Sequence, residues 1–176
     1  MIKNFLASLG VGAAKIDLVL DTSTLTMGEP VSGKIHLQGG EAEQQIEGLN
    51  VHFCLASSYK KGDQVRHVNE TIATIPIDNE KFIIYPGEKK EYDFYFKCPE
   101  GLPISSINTR YFFKTDLEIR SGIDAQDRDF ISVEPSGLLK NFLEGFSRLG
   151  FVHYGEDYTG RKDGAYQKIQ FHPTAW

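Results

Sequence analysis

Three aspartates in one short segment, Asp124, Asp127 and Asp129, have the type and spacing to hold a cation. Hard cations such as calcium take several oxygen ligands. No glycine and no distal glutamate follow in the register of an EF-hand loop, however. The same carboxylates read equally as a polar turn capping the final strands. They read also as buried partners of Arg110, Arg120 or Arg128, because a carboxylate taken out of water needs such a partner. The five histidines, His36, His52, His67, His153 and His172, are scattered, without the helical i, i+4 spacing or cysteine neighbour of a zinc site. There is no Gly-x-Ser-x-Gly elbow. Gly10-Val11-Gly12-Ala13-Ala14 lacks the preceding strand, the third glycine and the βαβ unit of a dinucleotide loop. Cys98 stands before Pro99 with no helix N-terminus beside it to activate a thiolate. No nucleophile has an obvious base. The sequence therefore assigns no catalytic, cofactor-binding or metal-ligating residue, and the chain is expected not to be an enzyme.

The elements that position these residues are read from period-two alternation. Ile16–Leu20, Val31–Leu37, Ile46–Leu55, Ile72–Ile77, Phe82–Tyr85, Glu91–Lys97, Thr109–Arg120 and Arg128–Val133 alternate as strands. Val31, Gly33, Ile35 and Leu37 share one face, as do Leu49, Val51, Phe53 and Leu55 in the next run. Tyr92, Phe94 and Phe96 do so too, and then Tyr111, Phe113, Thr115, Leu117 and Ile119. Ser57 to Asn69 reads as a loop or hairpin tip. Pro76 cannot donate to a ladder, which places its strand at an edge or at its end. Roughly eight short strands up to Pro135, with no helix between them, predict an antiparallel β-sandwich. After Pro135 the spacing of Leu138 or Leu139, Phe142, Phe146 and Leu149 predicts a helix, with Ser136 as N-cap and Gly150 just past its end. Phe151–Tyr158 and Tyr166–Phe171 then read as a hairpin. The division is therefore residues 1–135 as the sandwich and 136–176 as a helix-and-hairpin appendage. The appendage is too small to bury its own core and must lean on the sandwich or on another chain.

Composition bounds the partners. The 176 residues are 40% hydrophobic and 24% charged, with a formal net charge of -5, which does not favour a nucleic-acid binder. Two cysteines make no disulfide framework. Cys98 has the parity of Tyr92, Phe94 and Phe96, whereas Cys54 has the opposite parity to Val51, Phe53 and Leu55. Two free thiols in a reducing cytoplasm are expected. The segment Met1–Ala14 is too short and mixed to span a bilayer, and it reads as a short amphipathic helix with Phe5, Leu6 and Leu9 on one face.

Two stretches share a device. Met27-Gly28-Glu29-Pro30-Val31-Ser32-Gly33 and Tyr85-Pro86-Gly87-Glu88-Lys89-Lys90-Glu91 each launch an alternating strand from a Gly-Glu turn. With these turns the chain resembles the arrestin-like sandwiches, which are immunoglobulin-like in layering. It resembles in particular the bacterial sporulation-control family, the stage-zero M proteins. That resemblance is carried also by the run from Lys3 to Lys15, by Gly122 to Ile131, by Leu149-Gly150-Phe151 and by Gln167 to Pro173. It implies a non-enzymatic regulatory adaptor that works through protein partners. Members of the family run on into a larger second half, which implies that this chain is a short member or a fragment. A homodimer through the C-terminal arm is a linked expectation, since apolar stripes and hairpin edges want cover. The alternative is a small-ligand or carbohydrate-binding sandwich, with Tyr95 and Phe112 stacking on sugars and calcium at the aspartates.

Overall fold

Strands follow the alternation of the sequence in the computed structural model, which describes residues 12–174. The helix expected from Phe5, Leu6 and Leu9 lies outside the described residues. Three strands, β1 (Lys15–Leu20), β3 (Pro30–Gln38) and β7 (Lys89–Lys97), form a small sheet in the order β1-β3-β7. The large sheet runs β2 (Thr24–Thr26), β9 (Ala125–Glu134), β8 (Arg110–Ile119), β4 (Gln44–Lys61) and β5 (Gln64–Asp78), with β6 (Phe82–Ile84) also on β4. All pairings are antiparallel except the three-residue β2 on β9. The inner sets named from parity are the ones that turn inward. They meet between the sheets, where Phe53 lies 5.0 Å from Phe96 and Phe113 packs edge-on against Phe94 at 5.4 Å.

Periodicity missed two details. β2 is too short to show alternation, so among the described residues nine strands rather than roughly eight precede Pro135. A register shift between Ile46 and Gly48 lets both Ile46 and Leu49 turn inward although their parities differ. The stretch Ser57–Asn69 is indeed a hairpin tip, but strand pairing runs to its end at Lys61 and Gln64, past the last β8 partner, Ala56 opposite Arg110. Pro76 sits on β5, the edge strand.

The two Gly-Glu turns are equivalent, and each is braced by the end of the neighbouring strand. Glu29 N–H donates to Thr26 O and Glu88 N–H donates to Tyr85 O, each at 3.0 Å, across glycines with φ of 85° and 69°. That is the four-residue turn in which the third position needs positive φ, with Pro86 at the favoured second position of the later copy. β3 and β7 are antiparallel partners, Pro30 opposite Lys97 and Gln38 opposite Lys89. The turn that opens each strand therefore lies beside the end of the other. Gly28 N–H reaches Cys98 O at 2.9 Å, and Gly39 N–H reaches Glu88 O at 2.8 Å.

The tail continues as α1 (Gly137–Arg148) and the hairpin β10 (Phe151–Tyr158) and β11 (Gln167–Pro173). Ser136 is the N-cap residue but its side chain caps nothing, and Gly150, at φ 81°, follows the C-cap Leu149. Twelve residues are too few for a helix to stand alone in water. Leu139 and Leu143 pack against the sandwich core, and Phe146 lies 4.7 Å from Phe171 and 5.5 Å from Phe151.

The brace between the end of β3 and the turn Tyr85–Glu88 is testable. A Cβ at Gly87 meets only open space, so Gly87→Ala suffers from positive φ alone, a loss of about 1 kcal/mol. A Cβ at Gly39 would run into the Tyr85 carbonyl, so Gly39→Ala should lose about 3 kcal/mol in urea unfolding. Equal losses would show that the close approach of Gly39 to the Tyr85 carbonyl does not hold the turn.

Candidate functional site

The three aspartates do separate work. Asp124 Oδ1 accepts from Ile119 N–H at 2.9 Å and closes the turn between β8 and β9. Asp127 faces inward on β9. Its Oδ2 accepts from Leu18 N–H at 3.0 Å, on the edge of β1 that β3 does not cover, and its Oδ1 accepts from Arg128 N–H at 2.9 Å. Asp129 also turns inward. Burial, with help from Asp127 and then Asp17, pushes its pKa up to about 8. Asp17 is raised as well, first by burial and then by Asp127. The expected arginine partners do not arrive. Arg110 and Arg128 are exposed on the opposite parity; Arg128 lies over the Phe112 ring at 4.6 Å, and Arg120 reaches Gln45. Among the described residues no three His, Cys, Asp or Glu side chains are placed to hold a metal ion.

The other sequence candidates are also accounted for. Cys54 and Cys98 are free and buried, and burial raises both thiols, Cys98 to about 11, far from thiolate at neutral pH. His36 pairs with Glu91, and His52 lies between Thr74 and Asp116. Phe112 is no sugar platform. It is 9% exposed, with Phe130 at 5.6 Å and Arg128 above it. Tyr95 does stand out on the solvent face of β7.

Sequence reasoning missed the most connected polar site, where the tail meets the sandwich. Glu156 on β10 is 3% exposed. Its Oε1 accepts from Asn108 N–H at 2.7 Å and Thr109 N–H at 2.8 Å. The Asn108 side chain donates to Ser58 O and Glu156 O at 3.0 and 3.1 Å, and its Oδ1 accepts from the Ser58 hydroxyl. Gln167 on β11 bonds both main-chain groups of Ile104. A register shift between His153 and Gly155 sets the even residues Glu156 and Tyr158 inward. Without that bulge nothing in the sequence separates Glu156 from Asp157 beside it.

His153 completes the junction. Its Nδ1 lies 3.2 Å from the Ser106 hydroxyl, and its Nε2 donates to Gly155 O at 3.1 Å while lying 3.0 Å from Glu156 Oε2. The approach to Oε2 lacks hydrogen-bond alignment, so that oxygen is buried without a donor. The order hydroxyl, imidazole, carboxylate is that of a hydrolytic triad. The main-chain donors that would hold an oxyanion are spent, however. Ser106 N–H goes to Thr109 O, and those of Asn108 and Thr109 go to Glu156. The arrangement is a clamp.

Beside the clamp, a surface cleft of about 490 Å³ separates the β4–β5 tip from residues 159–163, with Lys61, Arg66 and Lys162 on its walls. Its acids are engaged internally: Asp163 accepts from Tyr59 OH, and Glu70 from Arg161 N–H.

A protein-family model described as SpoOM protein matches residues 2–176. The sporulation-control protein spo0M of Bacillus subtilis (strain 168) is 33% identical over 178 residues, spanning 98% of this chain and 69% of that protein. The crystal structure of Spo0M, sporulation control protein, from Bacillus subtilis superposes with a TM-score of 0.82 at 30% identity, covering 94% of this chain and 69% of that one.

Two outcomes follow from the buried carboxylates. Glu156→Ala leaves the Asn108 and Thr109 N–H groups without an acceptor and should lose roughly 2–5 kcal/mol in urea unfolding. Asp129 binds its proton more tightly folded than unfolded, so its contribution is full below its unfolded pKa near 4 and is lost as pH rises towards about 8. Asp129→Asn should therefore gain stability relative to the parent as pH is raised from about 5 to about 8.5. A gap that stays constant across that range would contradict the assignment.

Proposed function

The chain belongs to the SpoOM protein family, and from that premise we propose that it is a non-enzymatic regulator in the control of sporulation, acting in the cytoplasm by docking protein partners. The observation that carries the docking mechanism is the long open edge of β5. This strand is fifteen residues long, ends the order of the large sheet, and among the described strands pairs with β4 alone. Its first part, at the hairpin tip, also projects beyond β8. An edge of this kind offers unpaired main-chain donors and acceptors to an extended segment of another protein, and strand addition is the simplest way to use it. The charged residues along the tip, Lys60, Lys61, Asp63 and Arg66, suit a selective contact better than indiscriminate pairing.

Among the described residues no helix is long and apolar enough to cross a membrane, which accords with a partner-docking role away from the bilayer core. The C-terminal arm is the surface through which two copies are proposed to pair. The arm lies on its own sandwich, held by Glu156 and Gln167, so pairing through it requires no exchange of arms between chains.

The experiment uses the whole chain with a photo-crosslinking side chain at Val65, on the β5 edge, or at Tyr95, on the small sheet. Both positions are exposed. A lysate of the organism during sporulation should yield one protein joined to the Val65 probe and absent from the Tyr95 probe. Loss of that partner's gene and loss of this one should then alter spore formation in the same direction. Cross-linking that is the same at both positions, or spore counts that do not respond to loss of the gene, would overturn the reading.

A further inference from the structure

The cleft of about 490 Å³ at the β4–β5 tip has five consecutive residues of β5, Arg66 to Glu70, in its walls. Successive side chains of a strand point to opposite faces, so a cleft that touches all five runs along the strand's edge. The pairing agrees. Lys61 and Gln64 face each other across a two-residue loop, and the main-chain groups of an antiparallel strand point alternately towards its neighbour and away from it. Counted from that closing pair, His67 and Asn69 turn their N–H and C=O groups away from β4. Neither main chain has another partner among the described residues. The opposite wall is held in place. Asp163 accepts from Tyr59 OH at 2.9 Å, and Glu70 Oε1 accepts from Arg161 N–H at 2.6 Å. Gly160 lies so close to Val68 that a Cβ there would stand 3.1 Å from a methyl carbon. The slot is therefore built before anything enters it.

Charge names the occupant. Lys61, Arg66 and Lys162 line the slot, and none of them makes an ion pair among the described residues. Arg66 bonds the neutral side chain of Gln64. The two acids in the walls are spoken for elsewhere: Asp163 by Tyr59, and Glu70 by the Arg161 main chain, with the Arg161 guanidinium 3.9 Å away. Asp63, at the turn, is not part of the walls. A chain with a net charge of -5 thus keeps three cations without an acid of their own around one strand edge. Their placement suits a strand. Tyr59 faces Arg66 across the ladder and Lys61 follows Tyr59 by two, so Lys61 and Arg66 project from the same face of the hairpin. Every second side chain of an added strand points to that face.

We propose that this slot takes an extended acidic segment of a partner protein, added as a strand to β5, with carboxylates at alternate positions meeting Lys61, Arg66 and Lys162. The proposal rests on the β5 reading given above and adds the chemistry of the segment. Main-chain bonds to His67 and Asn69 supply the docking, while the cations select the sequence and speed the encounter. Exposed charges add little binding each, so the affinity is modest and sensitive to salt.

The probe is a labelled synthetic peptide of about nine alternating Glu and Val residues, titrated with the purified full chain and followed by fluorescence anisotropy. The dissociation constant should be about 10–100 µM at ~50 mM salt and rise at least about fivefold at ~500 mM. The double change Arg66→Glu and Lys162→Glu should weaken binding at least about tenfold, whereas Lys97→Glu, on the small sheet, should leave it unchanged. All three positions are exposed, so urea unfolding should show each variant folded. Hydrogen exchange of the His67 and Asn69 amides should slow in the complex, which a contact between charges alone does not produce. Equal binding of the same peptide with Gln in place of Glu would overturn the acidic assignment and leave strand addition at β5 standing. Tighter binding of a single-stranded oligonucleotide would overturn it by giving the cations to phosphates. So would the absence of saturable binding below ~1 mM peptide, and the β5 reading would then be decided by the Val65 cross-link.

Discussion

A buried carboxylate on two main-chain amides decides how much of this chain is one body. Glu156 satisfies the N–H groups of Asn108 and Thr109 where the loop from Cys98 turns into β8. Those groups face protein rather than water and need an acceptor. By supplying one from β10, the tail becomes part of the sandwich. The Asn108 side chain carries the tie onward to Ser58 in β4, the strand that pairs with β5, β6 and β8. With β10 held, the placement of α1 follows. Its Phe146 closes over Phe151 and Phe171, and Leu138, Phe142 and Leu149 are turned away from the body.

The same device recurs at three other places in the sandwich. Asp127 takes the Leu18 amide on the uncovered edge of β1, Asp124 takes Ile119 at the end of β8, and Glu88 takes Tyr85 at the turn into β7. A carboxylate that accepts from a backbone N–H makes a stronger bond than a neutral oxygen would. An acidic chain, with a net charge of -5, thus uses part of its acid to finish its sheets. The exception is instructive. Asp129 lies beside Asp127 without an amide of its own, its Oδ2 is buried without a partner, and its proton is retained near neutral pH. The β5 edge, by contrast, receives no such cover among the described residues.

Much of the architecture was legible because alternation at period two carries it. The inner faces of β3, β7 and β8, the edge position of Pro76, the tail helix and its hairpin all follow from apolar spacing and turn residues. The family was legible from the Gly-Glu turns and the N-terminal and Asp-rich segments. The clamp was not legible. Glu156, Asn108 and Gln167 are ordinary polar residues whose burial depends on a bulge at Tyr154 and on loop conformation, neither of which leaves a periodic trace. Asp124, Asp127 and Asp129 were visible as a cluster but not as two caps and an unpaired buried carboxyl, since parity splits them only once the start of β9 is known. Phe112 misled for a related reason: its outward parity is real, but Phe130 and Arg128 cover it from the next strand.

The central claim is that the tail is fastened as firmly as the sandwich. Native-state hydrogen exchange of the whole chain tests it most directly, because amides report the free energy of the opening that releases them. If Glu156 fastens the tail, the amides of Asn108 and Thr109 exchange only with global unfolding, as slowly as those of Phe53 and Phe113 in the core. If those two amides and the β10–β11 ladder exchange together, well before the core does, the tail is an arm that opens by itself and the clamp is not what holds it.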